Sequence, residues 1–177
     1  DTTAAGQTAE QLLGTGGKTP VIADLDSAPA AKTLLIGIAP PGGKIPVHWR
    51  PIIMDAISRG MNVLSGLHEF LAEDPEFAGA AATSGIELTD VRNNDEHDVA
   101  NRIGLRPDCL RILTIGQDCC VGKMVVSIEL TRALIARQNR AKFIATGQTG
   151  IMIAGEGCPI DCVVSDFISG AVEKQIL

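Results

Sequence analysis

One stretch constrains the fold of this chain more than any other: LRILTIGQDCCVGKMVVSIELTRALIARQ, residues 110–138. An unbroken apolar run, Leu110 to Ile115, reads as a buried parallel strand. A loop from Gly116 to Gly122 follows, then Lys123, then a helical pattern running to Gln138. Strand, glycine-bounded loop and helix N-terminus together offer backbone N–H groups and one flexible cation to an anion, which is what a phosphate requires. The loop is not the usual G-x-x-x-x-G-K-[ST]. Five residues (Gln117, Asp118, Cys119, Cys120, Val121) separate its glycines, and Met124 stands where a Ser or Thr would hold Mg²⁺. A thioether is a poor ligand for a hard cation, and Ser127 lies a helical turn further on. The segment therefore predicts a cradle that grips phosphates without the hydroxyl used in metal-assisted cleavage. A plain strand-to-helix turn with a surface lysine is the alternative.

A parallel strand needs a layered α/β setting, and the residues before this segment supply one. Lys32–Ala39, Met61–Gly66 and Ile86–Arg92 read as strands. Arg50–Gly60, with Pro51 in its first turn, Leu67–Asp74 and Pro75–Gly85 read as helices. Thr8–Leu13 suggests a short helix, Pro20–Leu25 a short strand, and PPGGKIPVHW (Pro40–Trp49) a loop. After the loop helix, Ala141–Thr146 and Ile160–Asp166 read as further strands, with Asp166 placed to cap a helix over FISGAVEKQIL. The polar run NNDEHDVANRIG marks a boundary. The expected fold is α/β: a Rossmann-like parallel-sheet domain over residues 1–105, then an α/β domain of the P-loop NTPase type over 106–177. Only 54 residues follow Lys123 in a chain of 177, too few to complete a phosphate-loop layer. The chain also begins at Asp1 without a methionine, so both domains are expected to be partial.

Composition limits the partners. A net charge of −6 argues against a nucleic-acid backbone or an anionic membrane, and four Phe, one Trp and no Tyr leave little to stack on single strands. No apolar run approaches a membrane span. Five cysteines, with Cys119 and Cys120 adjacent, do not make a disulfide framework and suit a reducing cytoplasm; no metal site is expected from them. A small anionic metabolite remains compatible with this balance, and a homo-oligomer is open. Thr146, Gly147, Gln148 and Thr149, at a strand end, are candidates to complete the ligand cradle with Gly116–Met124.

Three segments are together similar to the C-terminal signature of the D-glutamate N-acetyltransferase (DgcN-like) family: GQDCCVGKM, ATGQTGIMIAG and IDCVVSDFISGAVE. LLIGIAPPGGKIPVHWRPIIMDAISRGMNVLSGLHEFLAEDPE resembles the Rossmann-like N-terminal domain of the same family, formerly a domain of unknown function. The resemblance implies transfer of acetyl from acetyl-CoA to the amine of an acidic D-amino acid, with the loop holding cofactor phosphates. Such chemistry needs a base for the substrate ammonium. His68, in SGLHEFL, is the first candidate, followed by Asp118 and Asp166. It also needs cations for the substrate carboxylates, and Arg50 and Arg92 are candidates. His48 and Trp49 could wall a cleft, and His97 reads as solvated. A cation beside a thiol favours thiolate, so an acyl-cysteine at Cys119 or Cys120 is a minor alternative. Two other functions stay open: an ATP/Mg-dependent ligase or kinase of the dethiobiotin synthetase type, whose loop the G-x-D-x-x-V-G-K spacing resembles, with Asp118 or Asp166 on the metal, and a nucleotide-binding module without turnover.

Overall fold

The computed structural model describes residues 2–38 and 40–177. It separates into two compact units, the first ending at Asp90 and the second running from Val91 to Leu177. In the first unit, β1 (Thr33–Ile36), β2 (Asn62–Ser65) and β3 (Leu88–Asp90) form a parallel sheet in the order β1-β2-β3. Ile36 pairs with Ser65 and Ser65 with Asp90, so the three strands end level. Parallel neighbours require crossovers, and α2 (Arg50–Ser58) and α3 (Pro75–Ser84) provide them.

These helices form for local reasons. α2 starts with Pro51 in its first turn, where the missing N–H costs nothing. Its Ile53, Ala56 and Ile57 are buried, with Met54 packed alongside. α3 is capped by Asp74, whose carboxylate accepts from the N–H groups of Glu76 (2.9 Å) and Phe77 (3.3 Å), and ends on left-handed Gly85. The two helices and the sheet close on Ile36, Ile45, Ile53, Ile57, Val63, Leu67, Leu71 and Phe77. Near the start of the chain, α1 (Ala9–Leu13) is set by a capping box between Thr8 and Gln11. Pro20–Leu25, expected as a strand, contributes a single antiparallel bridge, Pro20 to Thr8.

Leu67–Asp74, expected as a helix, is a tight turn with one short 3-10 segment, Leu71–Glu73. Its N–H groups are taken before a helix can use them. The Ser65 hydroxyl accepts from Leu67 (3.2 Å) and the Gly43 carbonyl from His68 (3.1 Å) and Glu69 (3.3 Å). The Asp90 carboxylate accepts from Leu71 (3.0 Å) and Ala72 (2.9 Å). Side chains at the ends of β2 and β3 thus override the local helical pattern.

The second unit contains α4 (Lys123–Ala136), α5 (Gln148–Ala154) and α6 (Ile168–Ile176). Among the described residues it carries no strand. Residues 110–116, 141–146 and 160–166, expected as strands, join no ladder. A strand is defined by its neighbours, and Leu110, Leu113 and Ile115 are more than four-fifths exposed. The buried centre of this unit is small: Cys158, Val163 and Ala171, with Ile160, Phe167 and Ile168 against them. Polar ties hold its entry segment. The Glu173 carboxylate accepts from the N–H groups of Asn101 (2.8 Å) and Arg102 (2.7 Å), and Lys174 pairs with Glu96 (3.2 Å). No helix of the described residues is long and apolar enough to cross a membrane.

Candidate functional site

The phosphate-loop segment folds as one continuous turn. Thr114, just before the loop, donates its hydroxyl to the carbonyl of Lys123 (3.2 Å) and shares a hydrogen bond with the Ser127 hydroxyl (2.7 Å). Those bonds bring the start of the loop back to the first turn of α4. Within the loop, a Cβ at Gly116 would lie 2.8 Å from Val121 Cγ2 and 3.1 Å from Lys123 Cγ, so a side chain there would displace one of these two. Cys120 (φ 58°) and Gly122 (φ 92°) are both left-handed, which turns the chain sharply into the helix. Lys123 opens α4 with its ammonium folded back onto the carbonyl oxygen of Asp118. The Asp118 carboxylate accepts from the Cys119 N–H (2.6 Å). Gln117, Asp118, Cys119 and Cys120 are exposed, and Met124 is half-buried. A fourteen-residue helix N-terminus, a tight glycine-bounded turn and a lysine able to swing off a single carbonyl are therefore assembled in one place. The Ser127 hydroxyl is engaged with Thr114 and with the Lys123 carbonyl (3.2 Å), so it does not replace the hydroxyl missing at position 124.

Thr146, Gly147, Gln148 and Thr149 lie at the start of α5, where Gly147 is the cap residue and makes no side-chain cap bond. The flanking backbone is held by the N–H groups of Cys158 and Ile160, which donate to the carbonyls of Ala145 (2.9 Å) and Thr146 (3.3 Å). Asp166 is exposed and makes no cap bond to α6: the N-cap residue is Phe167, because a 3-10 turn over Ser165–Phe167 intervenes. His97 is exposed, with its ring edge-on to Phe167 at 5.7 Å.

In the first unit, His68 is exposed in the turn that follows β2, at the carboxyl end of the sheet where α/β proteins place their sites. The turn beneath it is rigid, tied to Ser65, Gly43 and Asp90 as described, while the Glu69 carboxylate accepts from the Ile45 N–H (2.7 Å). His48 packs edge-on to Trp49 at 6.2 Å.

Both candidate arginines have carboxylate partners. Arg50 forms a bidentate pair with Asp74 (2.8 and 3.1 Å), also meets Glu76, and lies 4.3 Å over the Phe77 ring. Arg92 is 5% exposed and paired with Asp161, with Cys162 Sγ at 3.9 Å. Each guanidinium already has a carboxylate partner, which a substrate carboxylate would have to share or displace. The sequence showed the charges but not their partners. Conversely, Thr114, Gly43 and Asp90, which shape the loop and the His68 turn, escaped the sequence reading. Thr114, two residues before Gly116, and Asp90 at a strand end were the available signals.

A Rossmann-like domain followed by a phosphate-loop domain is the class these two units define. The family model described as "Domain of unknown function (DUF1611_N) Rossmann-like domain" matches residues 2–94, and that described as the DUF1611_C P-loop domain matches residues 98–177. The chain belongs to the DUF1611 family. It is 39% identical over 158 residues to a protein of Tritonibacter scottomollicae named D-glutamate N-acetyltransferase, which covers 89% of this chain and 47% of the relative. It is 42% identical over 144 residues to a protein of the same name from a Pseudoalteromonas species, covering 81% and 43%. A crystal structure of a DUF1611 family protein from Anabaena variabilis superposes with a TM-score of 0.90 at 37% identity, over 98% of this chain and 51% of that one. The chain spans about half the length of the curated relatives it matches.

Proposed function

We propose that this protein is an N-acetyltransferase that moves an acetyl group from acetyl-CoA to the amine of an acidic D-amino acid such as D-glutamate. The observation that carries the proposal is the loop Gly116–Lys123, a phosphate-type cradle with its lysine in place and no hydroxyl beside it for Mg²⁺. Two relatives bearing the name D-glutamate N-acetyltransferase support the same chemistry. Acetyl-CoA supplies the activated thioester and carries phosphates that are held but never broken. The backbone N–H groups around Gly122 and the Lys123 ammonium would hold those phosphates, Lys123 exchanging the Asp118 carbonyl for a ligand oxygen.

The reaction begins with loss of a proton from the substrate ammonium to a base on the protein. The freed amine forms a C–N bond at the thioester carbonyl, the C–S bond breaks, and the thiol of the carrier leaves with a proton. Of the base candidates, His68 ranks ahead of Asp118 and Asp166: it is exposed on a turn fixed at both ends, whereas the Asp118 carboxylate already accepts from Cys119 N–H. The protein is further proposed to be cytoplasmic and to act on a small-molecule substrate rather than on nucleic acid or membrane.

The test uses the full-length protein. Acetyl-CoA is expected to raise its melting temperature without added Mg²⁺, and Lys123→Ala to abolish that rise while leaving the unliganded melting temperature unchanged, because among the described residues the lysine head is bonded to one loop carbonyl. Stabilisation by Mg-ATP alone would replace the proposal with the ligase or kinase chemistry. Acetyl-CoA consumption with D-glutamate, and none with any amine in a binding-competent protein, separates an enzyme from a nucleotide-binding module.

A further inference from the structure

The most constrained close approach in the first unit lies between two segments far apart in sequence, PPGGKIP and SGLHEF. Gly43 is buried and left-handed (φ 64°). A Cβ built on it would meet His68 Cδ2 at 2.5 Å, His68 Cβ at 3.0 Å and His68 Cγ at 3.1 Å. Every one of these atoms belongs to the same imidazole-bearing side chain. The Gly43 carbonyl meanwhile accepts from the His68 N–H at 3.1 Å and the Glu69 N–H at 3.3 Å. The Glu69 carboxylate reaches back to the Ile45 N–H at 2.7 Å, two residues past the glycine. Position 43 thus fixes the backbone under His68 and also the space its ring occupies.

We propose that Gly43 is the positioning residue for His68: its bare Cα is the seat of the imidazole, and the Gly43 carbonyl with the Glu69–Ile45 bond holds that seat in register. The assignment of His68 as the catalytic base rests on the reading in the preceding subsection; the seating itself rests on the geometry alone. A side chain at position 43 would meet the His68 side chain at 2.5 Å, while the backbone that carries His68 is held by Ser65 and Asp90. Misplacement by about 1 Å is enough to cost a reacting group on the order of 10²-fold in rate.

The experiment compares wild type, Gly43→Ala, Glu69→Ala, His68→Asn and the Gly43→Ala/His68→Asn double variant, all in the full-length protein. Two readouts are taken. Carbon–proton NMR of the histidine rings locates the imidazole, with the His68 signal assigned by its loss in His68→Asn. Steady-state acetylation of D-glutamate gives kcat and KM for acetyl-CoA. Gly43→Ala is expected to move the His68 ring signal and leave those of His48 and His97 in place. It is also expected to lower kcat on the order of 10²-fold with KM for acetyl-CoA unchanged, and to add nothing further in the His68→Asn background.

An unmoved His68 signal in a folded Gly43→Ala protein overturns the proposal, as does a rate loss that multiplies with that of His68→Asn. If His68→Asn keeps the wild-type rate, the base assignment falls, while the ring signal still decides the seating. Should Gly43→Ala not fold, Glu69→Ala decides: it releases the Ile45 N–H without filling the seat, so a moved ring signal with a lowered kcat supports the proposal. Wild-type values for both would overturn it.

Discussion

Of the five cysteines, Cys158 is buried, Cys119 and Cys120 are exposed, and Cys109 and Cys162 lie between. Cys158 is 1% exposed in the small core of the second unit, and burial pushes its thiol pKa up, with the nearby Glu96 charge adding to the effect. A thiol shifted upward stays protonated at neutral pH and is both hidden and unreactive. Cys119 and Cys120 are exposed in the phosphate-type loop. A disulfide-exchange reagent at neutral pH is therefore expected to label Cys119 and Cys120 in the native protein and Cys158 only after unfolding. Peptide mass spectrometry reads the outcome, and native labelling of Cys158 as fast as that of Cys119 would contradict it. Saturating acetyl-CoA should slow labelling of the loop pair alone. The difference between these residues also shows what the sequence made legible. GQDCCVGK carries its chemistry within a few consecutive residues, so its turn and lysine could be read directly. Arg50 and Arg92 could not, because their partners Asp74 and Asp161 are distant in sequence. The Gly43–His68 contact was hidden for the same reason.

At the scale of elements, Asp74 joins a helix cap to an ion pair. The hydrogen bond from Arg50 is the main cause holding its carboxyl below the usual carboxylate range; the N–H groups of Phe77 and Glu76 add to it and partial burial opposes. Because the folded value is depressed, its contribution to stability is fully present above the unfolded value of about 4 and is lost as pH falls through the folded one. Asp74→Ala is expected to cost about 1 kcal/mol from the lost cap alone. Asp74→Asn keeps the capping oxygen but loses the charge and the second oxygen that Arg50 uses. Its deficit in urea unfolding should therefore be present at neutral pH and shrink in acid; a deficit independent of pH would refute the linkage. α2, α3 and α4 were legible because proline, cap and period act within the element. The turn at Leu67–Asp74 was misread because Ser65, Gly43 and Asp90 claim its N–H groups from outside.

At the scale of the whole molecule, the two units differ in how much apolar surface they hide. The first closes its sheet and helices over a cluster that includes Phe77, Ile53, Ile57, Leu71 and Val63, each 2% exposed or less. The second leaves Leu110, Leu113 and Ile115 more than 80% exposed and buries only Cys158, Val163 and Ala171 in its core cluster. Apolar burial contributes roughly 25 cal/mol per Å², so the second unit has the smaller reserve against unfolding. Its expected strands were correct as apolar patterns and failed as ladders, since periodicity reports what a segment could pair and not whether a neighbour is present. The difference is measurable because the single tryptophan, Trp49, packs on the first unit's core, whereas α4, fourteen residues long, belongs to the second. In urea, helical ellipticity of the 177-residue chain should begin to fall at a lower concentration than Trp49 fluorescence changes. A phosphate-bearing ligand that binds the Gly116–Lys123 loop should move only the first of these transitions upward, because it stabilises only the unit that holds it. Coincident transitions that shift together would show that the two units unfold as one, and that the exposed apolar residues of the second cost it nothing.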